Sequence, residues 1–248
     1  MDGGRTAFET GHVSVTQTRA AYTGPGLALD PHRNAVATIA IDLDRPYQLT
    51  LFDGADKPGS ATSKTIALIP PGQLHHLVAM GPMAFLYLDA LSDDHHALQH
   101  VDLSPAYDRL MAAGAAALKD ADALAMALGV PTRGAPDPRL VPIIRQIDEE
   151  PEAFDTIAGA AALVPLSPSR FQALFRQATG LPFRRYRLWR RMARVVTLLR
   201  QGRDLTMAAH EAGFASSGHL SAAFKDMFGL TPSALHAILR AGPADNTP

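Results

Sequence analysis

The sequence contains no cysteine. Disulfides, thiolate catalysis and sulfur-based zinc sites are thereby excluded. It also lacks a long apolar run. The longest near the middle, Met111 to Leu118, is too short to cross a bilayer and is followed by Lys119, Asp120 and Asp122, so no membrane partner is expected. Met1 to Val13 has no basic segment leading into an apolar one, so no secretory signal is expected and the cytoplasm is the default location. The motifs G-x-S-x-G, H-E-x-x-H and the P-loop are missing. Asp42, Asp44 and Asp89 are the carboxylates nearest to a catalytic reading, but they fall at expected strand ends beside turns, where solvated Asp is common. No catalytic residue and no cofactor is expected. Finally, acidic residues are absent from Arg170 to Arg203.

That last absence marks the stretch around which the chain is organised. Ser167 to Arg203 carries Arg170, Arg176, Arg184, Arg185, Arg187, Arg190, Arg191, Arg194 and Arg200 over helical apolar spacing, the footprint of a surface that meets phosphates. The whole chain of 248 residues has a formal net charge of −1, which hides an asymmetry. Pro136 to Arg240 has 14 basic and 9 acidic residues, a net of +5, and the remainder has 9 and 15, a net of −6. An acidic part joined to a basic part suggests two jobs, the basic one being polyanion contact.

Residues 1 to about 25 are polar and Gly-rich and are expected to be loose. Val36 to Leu43, Tyr47 to Phe52, Thr65 to Ile69 and Phe85 to Leu88 read as short strands separated by turn chemistry, which suggests a small β-sandwich or barrel. Ser104 to Leu128 changes to a helical stripe rich in alanine. Small residues allow close helix approach, so the stripe either packs across a homodimer or covers the β-domain of its own chain. Gly129 to Pro138 is the best linker. Arg139 to Glu149 and Phe154 to Leu163 read as helices.

Ser167 can cap a further helix with Pro168 in its first turn; Phe171, Leu174, Phe175 and Ala178 form its back, and Gly180 ends it. Phe183 to Gln201 is a long basic helix. The pattern then repeats: Leu205 to Ala212, a turn at Gly213, and Ser216 to Met227. Arg170 to Arg176 is echoed by His219 to Lys225, each followed by a glycine (Gly180, Gly229) and a proline (Pro182, Pro232). Two helix-turn-helix units joined by a long helix are expected.

Leu166-Ser167-Pro168-Ser169-Arg170-Phe171, Leu174-Phe175, Thr179-Gly180, Tyr186, Arg191, Ala212-Gly213-Phe214, Ser216, Leu220, Phe224-Lys225 and Phe228-Gly229-Leu230-Thr231-Pro232-Ser233 resemble the AraC/XylS family of bacterial transcription regulators over about residues 138 to 240. Leu220 stands where the family usually has Phe, and His236 where an Arg commonly closes the motif. The segment Pro70-Pro71-Gly72-Gln73-Leu74-His75, with His32-Arg33-Asn34, weakly resembles the family's cupin-like sensor domains.

The fold expected is α+β: an N-terminal cupin-like β-barrel or sandwich (1–98), a helical linker that could dimerise (99–135), an all-α domain with two helix-turn-helix units (136–240) and a disordered tail (241–248). The resemblance implies a DNA-binding regulator acting in the major groove of double-stranded DNA, with an unknown small-molecule effector. RNA polymerase and a second copy of the chain are candidate partners. The DNA-contact candidates are Ser167, Ser169, Arg170, Gln172, Ala173, Arg176, Arg184 and Arg191 in the first half. In the second half they are Ser216, Ser217, Gly218, His219, Ala222 and Lys225. The first reading helix is better equipped to discriminate bases; the second, with Gly218 and Ala222, is expected mainly to hold backbone.

His32, Asn34 and His75 are candidates for a ligand pocket. As a metal set they are thin, because Asn34 stands where a metal-binding cupin has a second His. The clusters His75-His76 and His95-His96 have turn or surface context. The rival readings are a cupin-type metal-dependent enzyme with a DNA-binding tail and a structural protein that binds any DNA sequence.

Overall fold

The computed structural model describes residues 8–16, 19–88, 98, 102–130, 137–154 and 156–240. The expected tail, Asp89, His95, His96 and most of the expected linker lie outside them. Nine strands come first: β1 His12–Val15, β2 Ala20–Gly24, β3 Ala28–Arg33, β4 Thr38–Asp42, β5 Tyr47–Leu51, β6 Thr62–Lys64, β7 Ile66–Ile69, β8 Leu74–Val78 and β9 Met83–Tyr87. They form two antiparallel sheets, ordered β1-β2-β9-β4-β7 and β3-β8-β5-β6. Inward residues of both sheets, among them Tyr22, Ala40, Tyr47, Leu49, Leu77 and Phe85, share one core. Tyr47 crosses that core, and its hydroxyl donates to the Ala40 carbonyl at 3.0 Å. The buried phenol thus keeps a polar partner. Pro31 in β3 cannot donate to a ladder, and the β3–β8 register shifts between Leu29 and His32.

The expectation of a loose segment to residue 25 is corrected for its described residues, from residue 8 on; residues 1–7, 17 and 18 lie outside them. β1 and β2 pair with each other, and β2 with β9. β2 is buried throughout, because Tyr22 faces the core while Ala21 packs on the other side. The short alternation of small and aromatic residues there was masked by neighbouring Gly and Thr.

The helix expected over Ser104 to Leu128 is broken. α1 Ser104–Ala113 ends where Gly114 takes φ 62°, a 3-10 turn spans Gly114–Leu118, and α2 Ala121–Leu128 restarts under an Asp120 cap. The Asp120 carboxylate accepts from the Asp122 and Ala123 N–H groups. Leu110, Leu124, Ala125 and Leu128 pack on the outer face of the larger sheet against Ile39, Ile41, Ala84 and Leu86. The alanine stripe therefore covers its own β-domain. Tyr107 of α1 donates to Asp42 at 3.1 Å, and burial raises the Asp42 carboxyl above the usual carboxylate range.

The second half is helical: α3 Val141–Glu149, α4 Ile157–Ala161, α5 Pro168–Thr179, α6 Phe183–Arg200, α7 Leu205–Glu211, α8 Ser217–Phe228 and α9 Pro232–Arg240. The helix expected over Phe154 to Leu163 is shorter, because Thr156 caps it by accepting from the Gly159 N–H, and Phe154 is core outside it. Phe154, Phe171, Phe175, Phe183 and Tyr186 form a continuous aromatic cluster around the first helix pair.

Candidate nucleic-acid interface

Two helix pairs, α4–α5 and α7–α8, flank α6. In each, a serine starts the second helix. Ser167 accepts from the Arg170 N–H at 3.4 Å and Ser216 from the His219 N–H at 3.1 Å. Each satisfies a donor that the helix start would otherwise leave open. The buried backs correspond: Phe171, Phe175 and Thr179 in α5, and Leu220, Phe224, Met227 and Phe228 in α8. Leu220 is fully buried, so this departure from the family pattern fills the same core position. Thr179 ends α5 by donating to the Phe175 carbonyl at 2.7 Å and accepting from the Leu181 N–H at 3.1 Å.

The opposite face of α5 is open to solvent. Ser169, Arg170, Gln172, Ala173 and Arg176 are exposed, as are Ser167 just before it and Arg184 at the start of α6. Guanidinium, amide and hydroxyl groups on one exposed face can reach base edges and phosphates together. On the second unit Ser216, Gly218, His219 and Ala222 are exposed and Ser217 is partly so. His219 lies edge-on to Phe214, ring centroids 5.5 Å apart, so its ring also supports the turn.

Two candidates have work inside the protein. Arg191 donates through Nε to the Ala212 carbonyl at 2.8 Å and through Nη2 to the Gly213 carbonyl, and its guanidinium lies 4.0 Å from the Phe214 ring centroid. It ties α6 to the turn of the second unit. Lys225 is exposed, but its Nζ sits 2.8 Å from Asp30 of β3. Other α6 arginines are likewise engaged: Arg190 pairs with Asp148 at 2.7 Å, Arg187 donates to the Glu152 carbonyl, and Arg185 donates to the Arg33 carbonyl at 2.6 Å. Sequence reading placed Arg185 in the run that meets phosphates, but its partner is a carbonyl 152 residues away.

The helical half is seated against β3 of the smaller sheet and against β1 and β9 of the larger. The Asp30 N–H donates to the Gly229 carbonyl at 2.9 Å, beside the Lys225–Asp30 pair. At the chain ends, the Gly11 N–H donates to the Ile238 carbonyl at 3.2 Å. Tyr87 of β9 meets Trp189 of α6 and Phe228 of α8, with ring centroids 5.5 and 5.8 Å apart. Beside these rings is a cavity of about 60 Å³, lined from both halves, with Tyr22, Phe85 and Tyr87 on one side and Trp189, Phe228 and Leu235 on the other.

His32, Asn34 and His75 do not line that cavity. All three are buried where β3 meets β8, the imidazoles tilted at 55° with centroids 4.1 Å apart. The turn or surface context expected for His75-His76 is corrected, since both lie within β8 and His75 is buried by its partner strands. Each ring donates through Nδ1–H to a nearby carbonyl, His32 to Asp30 and His75 to Gln73. Asn34 donates to the Thr38 hydroxyl at 2.9 Å. Burial, together with His75, pushes the His32 imidazole down to about 3, and burial lowers His75 as well. Among the described residues no three His, Asp or Glu side chains converge as a metal set would require, and no helix is long and apolar enough to cross a membrane.

The "Helix-turn-helix domain" family matches residues 160–237, from the end of α4 through α5, α6, α7 and α8 into α9. The C-terminal region holds a helix-turn-helix domain. A curated relative of this domain, "Uncharacterized HTH-type transcriptional regulator YidL" of Escherichia coli (strain K12), is 34% identical over 94 residues, 38% of this chain and 32% of that protein. The chain thus spans about a third of that relative's length. The structure of an apo ToxT point variant from Vibrio cholerae is 13% identical with a TM-score of 0.57, covering 92% of this chain and 100% of that one. A second ToxT structure, wild-type and bound to an unsaturated fatty acid, is 12% identical with a TM-score of 0.52, covering 95% and 98%. At such low identity these likenesses speak to fold. They extend it beyond the helix-turn-helix match to the β-rich half, so the arrangement of a strand-rich half before a helical one is shared.

Proposed function

We propose that the protein is a sequence-specific DNA-binding transcription regulator controlled by a small molecule held in its N-terminal half. The observation that carries this reading is the paired arrangement of α5 and α8. Two serine-capped helices with exposed polar starts are set on one rigid helix, as two successive major-groove segments require. Within it, Ser169, Arg170, Gln172 and Arg176 read bases or grip phosphate. Ser167, Ala173, Arg184, Ser216, Ser217, Gly218, His219 and Ala222 complete the footprint, and Lys225 joins once released from Asp30. The residue division into a sensor of 1–98, a helical segment of 99–135 and a DNA-binding domain of 136–240 goes with this proposal. So do a place in the cytoplasm, where a bacterial chromosome lies, and RNA polymerase and a second copy of the chain as partners. No catalytic step is assigned to the chain. That ToxT holds a fatty acid is a property of ToxT; it supports the view that this architecture can house an effector.

Selecting bound duplexes from a random pool at two salt concentrations tests the reading. Two short preferred blocks about ten base pairs apart are the expected recovery. Recovery of no motif, with affinity collapsing as salt rises, would overturn it in favour of backbone-only binding.

A further inference from the structure

We infer that the cavity between the two halves takes a small, neutral, apolar ligand, and that entry of the ligand parts them. The inference rests on the ligand-controlled regulator reading and adds to it the site, the ligand class and the direction of the response.

The first argument is charge. None of the described lining residues is charged, and they are aliphatic and aromatic groups almost throughout. The Tyr22 hydroxyl is already committed to the Pro25 carbonyl at 2.8 Å. The cations along the same seam are committed too, Lys225 to Asp30 and Arg185 to the Arg33 carbonyl. A carboxylate placed in this cavity would be buried without a counter-charge, which strongly disfavours it. An uncharged hydrocarbon or ring meets aromatic walls instead.

The second argument is size. A dry apolar cavity that binds benzene measures roughly 150 Å³, whereas this one measures about 60 Å³. A ring fits only if a wall moves. The walls belong to different halves, the Tyr87 side on the sandwich and the Trp189–Phe228 side on the DNA-binding domain. Moving one wall therefore moves α8 relative to β3, where Lys225 is held by Asp30 and Gly229 by the Asp30 N–H. A ligand that prefers the parted arrangement shifts the population toward a free α8.

Trp189 is the chain's single tryptophan and lines the cavity, so its emission reports occupancy directly. The full chain is titrated with toluene and, separately, with benzoate at neutral pH, followed by Trp189 emission and thermal unfolding. Toluene is expected to give a saturable emission change and a rise in Tm, and benzoate neither at tenfold higher concentration. Ala193→Leu, which adds bulk to the α6 wall, is expected to abolish the toluene response with an unchanged circular dichroism spectrum. Val196→Ala, which enlarges the site, is expected to strengthen it, and serves if the first variant does not fold. Toluene should also tighten binding of the selected duplex by about fivefold or more.

Benzoate binding as well as toluene would overturn the ligand class. A toluene response indifferent to both variants, or no saturable response, would overturn the site. Unchanged or weakened DNA binding in saturating toluene would overturn the parting of the halves. In each of these cases a motif recovered by selection leaves the regulator reading standing. A failed selection beside a normal toluene response removes that reading and leaves the site.

Discussion

The Arg191 guanidinium holds the turn of the second helix-turn-helix unit by two carbonyls and a ring face. Removing it leaves those carbonyls without a charged donor, so Arg191→Ala should cost about 2 kcal/mol of stability, read as a lower urea midpoint. Arg191→Lys should recover little of it, since an ammonium cannot serve both carbonyls and stack on Phe214. A residue used only for DNA would leave the midpoint unchanged. The sequence marked Arg191 as notable but left its role open, because a helix rich in arginine looks alike whether its partners are phosphates or carbonyls 21 residues on.

The His32–His75 pair gives a second effect at this scale. Its titratable and charged neighbours are His76, Asp30 and Lys225. The folded state resists protonating these rings, with His32 held down to about 3, while the unfolded chain takes up protons near 6.5. The stabilisation from His32 is therefore complete above about pH 6.5 and is lost as pH falls toward 3, by up to about 1.4 kcal/mol per pH unit, and His75 adds in the same direction. Urea midpoints measured across that window should fall with acid, and His75→Asn should flatten the fall.

Gly180 and Gly229 end equivalent helices in equivalent conformations, φ 69° and 71°. A Cβ on Gly180 would meet nothing within 4 Å, whereas one on Gly229 would come within 2.5 Å of the Asp30 carbonyl and 2.6 Å of the His32 ring. Both alanine variants carry the left-handed backbone cost, about 1 kcal/mol. Only Gly229→Ala also pushes against the β-rich half. Its Tm should fall clearly further than that of Gly180→Ala, and the difference measures the docking of α8 on β3. Helices of the second half were legible in the chain because each carries its own punctuation, with Ser167, Ser216 and Thr231 at starts and Gly180 and Gly229 at ends. Strands β1, β2, β3, β6 and β8 were not, since short strands take their identity from partners far away in sequence. Pro31 and the Gly-rich flanks spoke against strand locally, and pairing overrode them.

Across the whole molecule, the acidic and basic halves meet at Asp30 and Lys225. DNA phosphate and Asp30 compete for the same ammonium. Asp30→Asn should therefore tighten DNA binding by about two- to fivefold at low salt, with the gain shrinking as salt rises. A duplex titration at two ionic strengths checks this; no gain at low salt would mean that Lys225 takes no part in binding. The charge asymmetry announced that the halves do different things, but nothing in the composition says where they touch. That knowledge required the fold, as did the cavity. The hydrophobic core itself runs across the boundary: Tyr22 and Phe85 of the sandwich belong to one cluster with Trp189, Phe224 and Phe228. A calorimeter should thus record a single endotherm for the chain, not one for each half. The two halves, produced as separate chains, should migrate together, since separating them would expose aromatic faces that water disfavours.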